Sequence, residues 1–95
     1  MSDSLSIKQR IDAHVIPTYA RFDLALTHGK DCHVFDAEGK SYLDLGTGIA
    51  TACLGHSHPE LAAALTEQAG KLTHISNLYY TEPQGLLAEK LVQLA

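Results

Sequence analysis

The chain has 95 residues, of which 45% are hydrophobic, 7 are basic and 11 are acidic, giving a net charge of −4. This length allows one domain at most, and the apolar content argues against a disordered chain. With no cluster of Lys or Arg, nucleic acid and anionic membrane are not expected partners. The longest uncharged stretch, residues 45–59, is too short to span a bilayer.

The first residues and the cysteines indicate the compartment. Residues 1–6 contain no basic region followed by an apolar one, so no signal peptide is expected. Cys32 and Cys53 lack the C-x-x-C spacing of a redox or zinc motif. We therefore expect a cytoplasmic protein with two free, buried thiols.

The first half of the sequence predicts one helix and a small sheet. Apolar residues at three- and four-residue steps predict a helix over residues 4–16, capped by Ser4 or Ser6 and ended by Pro17. Alternating runs over residues 24–45 predict a three-stranded antiparallel meander with one packed face and turns at residues 29–31 and 36–39. Gly39 suits the left-handed position that closes the second turn.

Two further helices are predicted in the second half. The Ser-x-x-Glu spacing of residues 57–60 is typical of a capping box, and the helix after it runs to about Leu72. Residues 73–80 are expected to be irregular or extended. A second capping box at residues 81–84 opens a helix with an apolar side made of Leu86, Leu87, Leu91 and Leu94.

The fold class is therefore α+β, with an N-terminal helix, a three-stranded antiparallel sheet and then two helices. The last helix keeps its apolar face up to Ala95, with no Gly, Pro or polar tail after it. We therefore expect residues 1–95 to be a segment of a longer protein, an incomplete domain with no internal boundary.

A glycine-rich run over residues 46–55 joins the sheet to the next helix. It holds Gly46, Gly48 and Gly55 among small and aliphatic residues, with no charged side chain. Glycine permits positive φ and close backbone approach. The run is expected to be buried and tightly turned. It is either a packed connection or the backbone wall of a ligand site, and periodicity does not separate the two.

No complete active site follows from these patterns. His56 and His58, even with Cys53 nearby, match no zinc spacing, so no metal site is predicted. Ser57 and Ser76 lack the context of a hydrolase nucleophile. Three acidic residues are better explained as turn and strand-end residues than as a general acid and base: Asp36, Glu38 and Asp44.

Five motifs, taken together, carry a family resemblance. They are Tyr19-Ala-Arg21, Asp36-Ala-Glu-Gly-Lys-Ser-Tyr-Leu-Asp44, Gly48-Ile-Ala50, Leu54-Gly-His-Ser-His-Pro59 and Leu72-x-His-Ile-Ser-Asn-Leu-Tyr-Tyr80. From about Ile16 onward, in order and without gaps, the chain resembles the N-terminal part of class III (subgroup II) pyridoxal-phosphate aminotransferases. Its nearest match within that family is the acetylornithine branch.

The resemblance implies a function. These enzymes are fold-type I homodimers that transfer an amino group through pyridoxal 5'-phosphate, and their N-terminal part belongs to the small domain at the active-site entrance. The reaction implied is that of N-acetyl-L-ornithine with 2-oxoglutarate, giving N-acetylglutamate semialdehyde and glutamate in arginine biosynthesis. The chain would supply substrate contacts and dimer surface.

The resemblance also implies four substrate-binding residues. Tyr19 matches a tyrosine that contacts substrate, and Gly48 lies beside Ile49 in the substrate-facing run. Ile49 stands where ornithine aminotransferases have a tyrosine, which favours an acetylated or succinylated substrate, although 4-aminobutyrate enzymes also have Ile there. Asn77 matches an asparagine that acetylornithine enzymes present to the active site of the partner subunit.

The family's Schiff-base lysine, phosphate loop, pyridine-binding Asp and carboxylate-binding Arg have no match in this sequence. We therefore predict no catalytic and no cofactor-binding residue in the chain, and no transamination by these residues alone. Two alternatives stay open. One is a non-catalytic remnant that dimerises or binds a partner, and the other is a class III enzyme acting on ornithine, succinylornithine, 4-aminobutyrate or lysine.

Overall fold

A computed structural model describes residues 3–95. Met1 and Ser2, on which the signal-peptide expectation partly rests, lie outside the described residues. The elements are α1 (Ser4–His14), β1 (Leu26–Lys30), β2 (His33–Asp36), β3 (Ser41–Leu43), the four-residue turn α2 (Thr47–Ala50), α3 (Pro59–Ala69) and α4 (Glu82–Leu94). Across residues 3–95, none of the helices has the length and apolar character needed to cross a membrane.

Helix α1 forms where it was predicted, but with a different cap. Asp3 is the N-cap residue, and its carboxylate accepts the backbone N–H of Ser6 at 2.8 Å. The prediction of Ser4 or Ser6 as the cap is wrong, because both already lie inside the helix. The helix ends at His14, earlier than residue 16, because the next residue is already extended.

The predicted meander is confirmed. The sheet has the order β1-β2-β3 with antiparallel pairing, which places His28 opposite Phe35 and Val34 opposite Tyr42. The first turn lies at residues 31–32 instead of 29–31, because Gly29 and Lys30 belong to β1. A bulge interrupts the register near the start of β1.

The Asp36 carboxylate organises the second hairpin. It accepts the backbone N–H groups of Glu38 at 3.1 Å and Lys40 at 2.8 Å, and the hydroxyl of Tyr42 at 2.9 Å. Burial raises the pKa of Asp36, but these hydrogen bonds outweigh burial and leave the pKa below its ordinary value. Gly39 has φ +88° at the predicted left-handed position. Asp36 is thus the turn residue that the sequence predicted.

The expected packed face of the sheet is wrong for this chain. Ala25 is the one buried hydrophobic residue among those described, and Asp36 is the one buried polar residue. The rings of His28 and Phe35 stack at 4.6 Å, and Phe35 is half-buried. The sheet is therefore stabilised mainly by backbone hydrogen bonds between its strands and by polar side-chain contacts, since few apolar side chains within residues 3–95 cover it.

The chain divides into two compact units, one running to Ala63 and the other spanning Ala64–Ala95. In the first unit, α3 begins after His58, whose Nδ1 accepts the N–H of Glu60 at 3.2 Å. The predicted Ser57 capping box is wrong, because the Ser57 hydroxyl donates to the carbonyl of Gly29 at 2.8 Å.

In the second unit, residues 70–81 contain turns and no regular element, which confirms the irregular structure predicted for residues 73–80. Helix α3 ends at Ala69, three residues before the predicted end. Thr81 is the N-cap residue of α4, but its side chain makes no cap hydrogen bond, so only the position of the second capping box is confirmed. Every leucine of the predicted apolar side of α4 is exposed.

Candidate functional site

The glycine-rich run after β3 forms a turn of unusual handedness. All four residues of α2 have positive φ: 50° at Thr47, 61° at Gly48, 59° at Ile49 and 62° at Ala50. The left-handed conformation costs roughly 1–2 kcal/mol for each non-glycine residue. Three such residues within four positions store strain that surrounding contacts must offset, and strain of this kind clusters at functional sites.

Local hydrogen bonds close the turn. The N–H of Ile49 donates to the Gly46 carbonyl at 2.9 Å, the N–H of Ala52 donates to the Thr47 carbonyl at 2.9 Å, and the Thr51 hydroxyl donates to the Gly48 carbonyl at 2.8 Å. The tight turn that the sequence predicted is thus confirmed.

The predicted burial of this run is wrong. Ile49 is 98% exposed, and Gly48 is exposed as well. The left-handed turn directs Ile49 outward, and none of residues 3–95 covers it. Within residues 3–95 the run is therefore not a packed connection, and its role as the wall of a ligand site stays a prediction.

Asp44 ties the start of this turn to the next loop. Its Oδ1 accepts the backbone N–H groups of Gly46 at 3.0 Å and Thr47 at 2.9 Å. Its Oδ2 lies 2.6 Å from Nε2 of His56, and both side chains are mostly buried, at 19% and 27% exposure. The hydrogen bond with His56, followed by the one from Thr47, lowers the pKa of Asp44.

His56 is itself fixed by the first hairpin. Its backbone N–H and carbonyl exchange hydrogen bonds with Asp31 at 2.8 and 3.0 Å. Its side chain lies over Gly29, where an added Cβ would come within 2.7 Å of His56 Cβ and Cγ. Gly55 has φ +85°, and a Cβ there would approach the Asp31 carbonyl oxygen to 3.1 Å. The two glycines thus allow His56 to reach Asp44.

The four predicted substrate-binding residues lie in three separate segments of the chain. Gly48 and Ile49 are neighbours in α2. Tyr19 lies in the segment between α1 and β1, is 77% exposed, and its hydroxyl has no hydrogen-bond partner within residues 3–95. Asn77 is exposed in the second unit, where it borders a groove of about 320 Å³ beside α4. The substrate roles of all four remain predictions.

Sequence reasoning missed the Asp44–His56 pair. The position of Asp44 two residues before a Gly-Thr turn is a local signal for a carboxylate that accepts backbone N–H groups. Its pairing with His56, 12 positions away, has no signal in the spacing, because it depends on where the first hairpin places His56.

The lysines and cysteines are partly or fully exposed. None of the five lysines is buried, and Lys8 forms a 2.6 Å ion pair with Asp23. Cys32 and Cys53 are free but exposed, so their predicted burial is wrong. Within residues 3–95, no three His, Cys, Asp or Glu side chains form a group able to hold a metal ion.

Comparison with known proteins defines the class. The family "Aminotransferase class-III" matches residues 15–95, which include the sheet, the α2 turn and the Asp44–His56 pair. The chain therefore belongs to the class III aminotransferase family.

Its curated relatives are more specific. The chain is 51% identical over 87 residues to the acetylornithine aminotransferase of Gloeobacter violaceus, covering 92% of this chain and 22% of that protein. It is 54% identical over 82 residues to the acetylornithine aminotransferase of Nostoc sp., covering 86% of this chain and 19% of that protein. The chain thus spans about a fifth of the length of these relatives.

Solved structures confirm the fold class. Acetylornithine aminotransferase from Elizabethkingia anophelis superposes with a TM-score of 0.94 at 31% identity, over 99% of this chain and 24% of that one. Ornithine delta-aminotransferase from Plasmodium falciparum gives 0.93 at 26% identity, over 98% of this chain and 24% of that one. The α+β arrangement described here is thus part of the pyridoxal-phosphate aminotransferase fold.

Proposed function

We propose that this chain is the substrate-contacting N-terminal part of an aminotransferase that transfers the amino group of N-acetylornithine to 2-oxoglutarate. The observation that carries the proposal is the exposed Ile49, which a strained turn presents. The sequence identity of 51% and 54% to two acetylornithine aminotransferases supports it. An aliphatic side chain at this position leaves room for an acylated side chain, whereas a tyrosine would fill that space.

Tyr19, Gly48, Ile49 and Asn77 are the proposed substrate contacts. Tyr19 offers a hydroxyl that is free within residues 3–95, together with an exposed ring, a combination suited to a polar, flexible amino-acid substrate. Gly48 lets substrate approach the backbone closely, because it has no Cβ. Asn77 offers an exposed amide with both donor and acceptor groups.

Pyridoxal 5'-phosphate is the proposed cofactor of the whole enzyme, where it would supply the electron sink for amino transfer. The residues of this chain do not fit it as its holder. A Schiff-base lysine must lose its proton, and burial favours that loss, but no lysine here is buried. The hydrogen bond with Asp23 raises the pKa of Lys8 and keeps it protonated. The lysine that binds the cofactor therefore comes from outside these residues.

The proposed partner is a second copy of the whole enzyme, in a cytoplasmic homodimer. Large apolar side chains are exposed on α4, and such a face is suited to burial against further protein. The same exposure favours the second candidate function, a non-catalytic remnant that binds a partner through α4.

A chimera tests the proposal. Residues 15–95 of this chain replace the matching segment of the Nostoc relative, and kcat/KM is measured with N-acetylornithine, ornithine and 4-aminobutyrate as amino donors. The unmodified Nostoc enzyme is the positive control. We expect N-acetylornithine to be the preferred donor. Preference for another donor would contradict the proposed substrate, and a folded chimera that binds cofactor but shows no turnover would favour the remnant.

The isolated 95-residue chain is the matched negative test. Incubated with pyridoxal phosphate and borohydride, it should show no stoichiometric adduct on a single lysine by peptide mass spectrometry, and no turnover. A specific adduct would mean that the chain holds its own cofactor site.

A further inference from the structure

We propose that Asp44 and His56 are positioning residues, which hold the α2 turn in the conformation that presents Gly48 and Ile49 to the substrate. This inference rests on the proposed function. It assigns a role in donor selection to a pair of side chains that do not themselves touch the substrate.

The two oxygens of the Asp44 carboxylate act on different parts of the molecule. Oδ1 accepts the N–H groups of Gly46 and Thr47, the residues at the entry to α2. Oδ2 contacts His56 Nε2 at 2.6 Å. One carboxylate therefore joins the left-handed turn to a side chain outside it.

His56 provides the fixed end of this connection. Two backbone hydrogen bonds join His56 to Asp31, which follows β1 directly, and Ser57 donates to the Gly29 carbonyl within β1. The first hairpin thus fixes His56, His56 fixes Asp44, and Asp44 fixes the entry to α2.

The turn needs such support because its conformation is unfavourable by itself. Thr47, Ile49 and Ala50 all have φ between 50° and 62°, a region that residues with a Cβ rarely occupy. Ile49 is 98% exposed and contributes little packing that would hold the turn. Loosening the connection should therefore displace Ile49 while leaving the sheet ladder in place.

Asp36 provides a matched comparison in the same unit. Its carboxylate also accepts two backbone N–H groups and one side-chain donor. It stabilises the β2–β3 hairpin, however, and not α2. Removing Asp36 should cost stability without moving Ile49, so it separates a positioning role from a purely structural one.

The test uses the full-length chimera described above. Asp44→Ala, Asp44→Asn, His56→Ala and His56→Gln are compared with Asp36→Ala, and kcat/KM is measured for N-acetylornithine and for ornithine. Asp44→Ala and His56→Ala should each lower the acetylornithine-to-ornithine ratio by about tenfold, since a displaced binding group loses part of its discrimination.

His56→Gln should recover part of the ratio, because its amide can donate to Asp44. Asp44→Asn, which keeps an acceptor for the two N–H groups, should fall between the alanine variant and the unsubstituted chimera. Asp36→Ala should leave the ratio unchanged. The proposal would be overturned if Asp44→Ala and His56→Ala both keep an acetylornithine-to-ornithine ratio within about twofold of the unsubstituted chimera. It would also be overturned if Asp36→Ala lowers the ratio as much as they do.

Amide hydrogen exchange at Ile49 and Ala50 gives a second measurement that does not require activity. Both N–H groups donate to the Gly46 carbonyl, and they should exchange faster in Asp44→Asn and Asp44→Ala but not in Asp36→Ala. Unchanged protection would overturn the positioning role even in an active enzyme. An unsubstituted chimera that does not prefer N-acetylornithine would instead refute the proposed substrate. Amide hydrogen exchange would still decide whether Asp44 and His56 hold the α2 turn.

Discussion

Side chains of the unit that ends at Ala63 reach across long stretches of sequence. The Glu38 carboxylate accepts the N–H of Ser4, 34 positions away, and the Ser57 hydroxyl donates to the Gly29 carbonyl, 28 positions away. In the unit Ala64–Ala95, by contrast, the side-chain hydrogen bonds of Gln68 and Lys71 reach only four positions. Tertiary polar contacts fix the first unit, whereas local helix formation fixes the second.

The second unit also leaves its apolar side uncovered. The four leucines of α4 are 58–72% exposed: Leu86, Leu87, Leu91 and Leu94. A helix of this kind draws most of its stability from the surface that its apolar face packs against. Polar contacts within the first unit therefore hold its conformation, including the α2 turn, whereas the apolar side of α4 is exposed within residues 3–95.

Within the isolated chain, the largest expected effect is that of Gly55→Ala on the first unit. A Cβ at φ +85° would be strained and would lie 3.1 Å from the Asp31 carbonyl oxygen. We expect a loss of about 1–3 kcal/mol in the free energy of opening of this unit, measured by amide hydrogen exchange in β1 and β2. Exchange in α4 should not change. Equal losses of opening free energy in both units would contradict the difference between the two units.

Gly85→Ala is the matched control in the second unit. Gly85 lies within α4, and nothing stands within 4 Å of an added Cβ. Alanine should raise the helix content, measured by circular dichroism, by stabilising α4 by about 0.5–1 kcal/mol. Replacing glycine by alanine is thus expected to destabilise the first unit and to stabilise the second.

Acid should weaken the first unit. Hydrogen bonds lower the pKa of Asp44, Asp36 and Glu38 below their ordinary values. At a pH near those ordinary values, the unfolded chain therefore binds more protons than the folded chain. The stabilisation is fully present above the unfolded pKa values, which are about 4, and it is lost as pH falls through the lower pKa values of the folded chain.

Amide resonances of β2 and β3, followed by NMR between pH 6 and pH 3, measure this loss. Asp44→Asn should shrink the pH-dependent change, because one of the contributing carboxylates is removed. Resonances that stay native-like down to pH 3 would contradict the role assigned to these carboxylates.

The smallest expected effect is that of Leu91→Ala in the isolated chain. Leu91 is 58% exposed, so its truncation should change stability by no more than about 0.5 kcal/mol. In the full-length chimera the same substitution should cost about 2–5 kcal/mol if further protein buries this face. Thermal unfolding of both proteins makes the measurement, and equal small effects would show that the face stays uncovered.

Much of the fold was predictable because its signals are local. Alternating residues gave the meander, Gly39 marked its second turn, and the leucines of α4 gave its apolar side. The helix caps were harder to predict, because neighbouring polar residues compete for the same N–H groups. Asp3 caps α1 in place of Ser4 or Ser6, and Ser57 bonds to Gly29 in place of its own helix.

The candidate site was predicted in part. Its glycine-rich run and Ile49 were chosen from the sequence, the latter through a family resemblance that the comparison confirmed. The predictions of burial were wrong in three places: at the cysteines, at the sheet face and in the glycine-rich run. Apolar composition shows that a residue is suited to burial, but whether it is buried depends on the protein available to cover it.

The sequence by itself determined the family, the order of the elements and the position of the turn that carries Ile49. Only the tertiary structure decided that this turn is left-handed along its whole length and that Asp44 joins it to His56. The physical reason is distance along the chain. Hydrophobic period and turn chemistry act over a few residues, whereas the Asp44–His56 contact exists only because the first hairpin brings His56 back beside the end of β3.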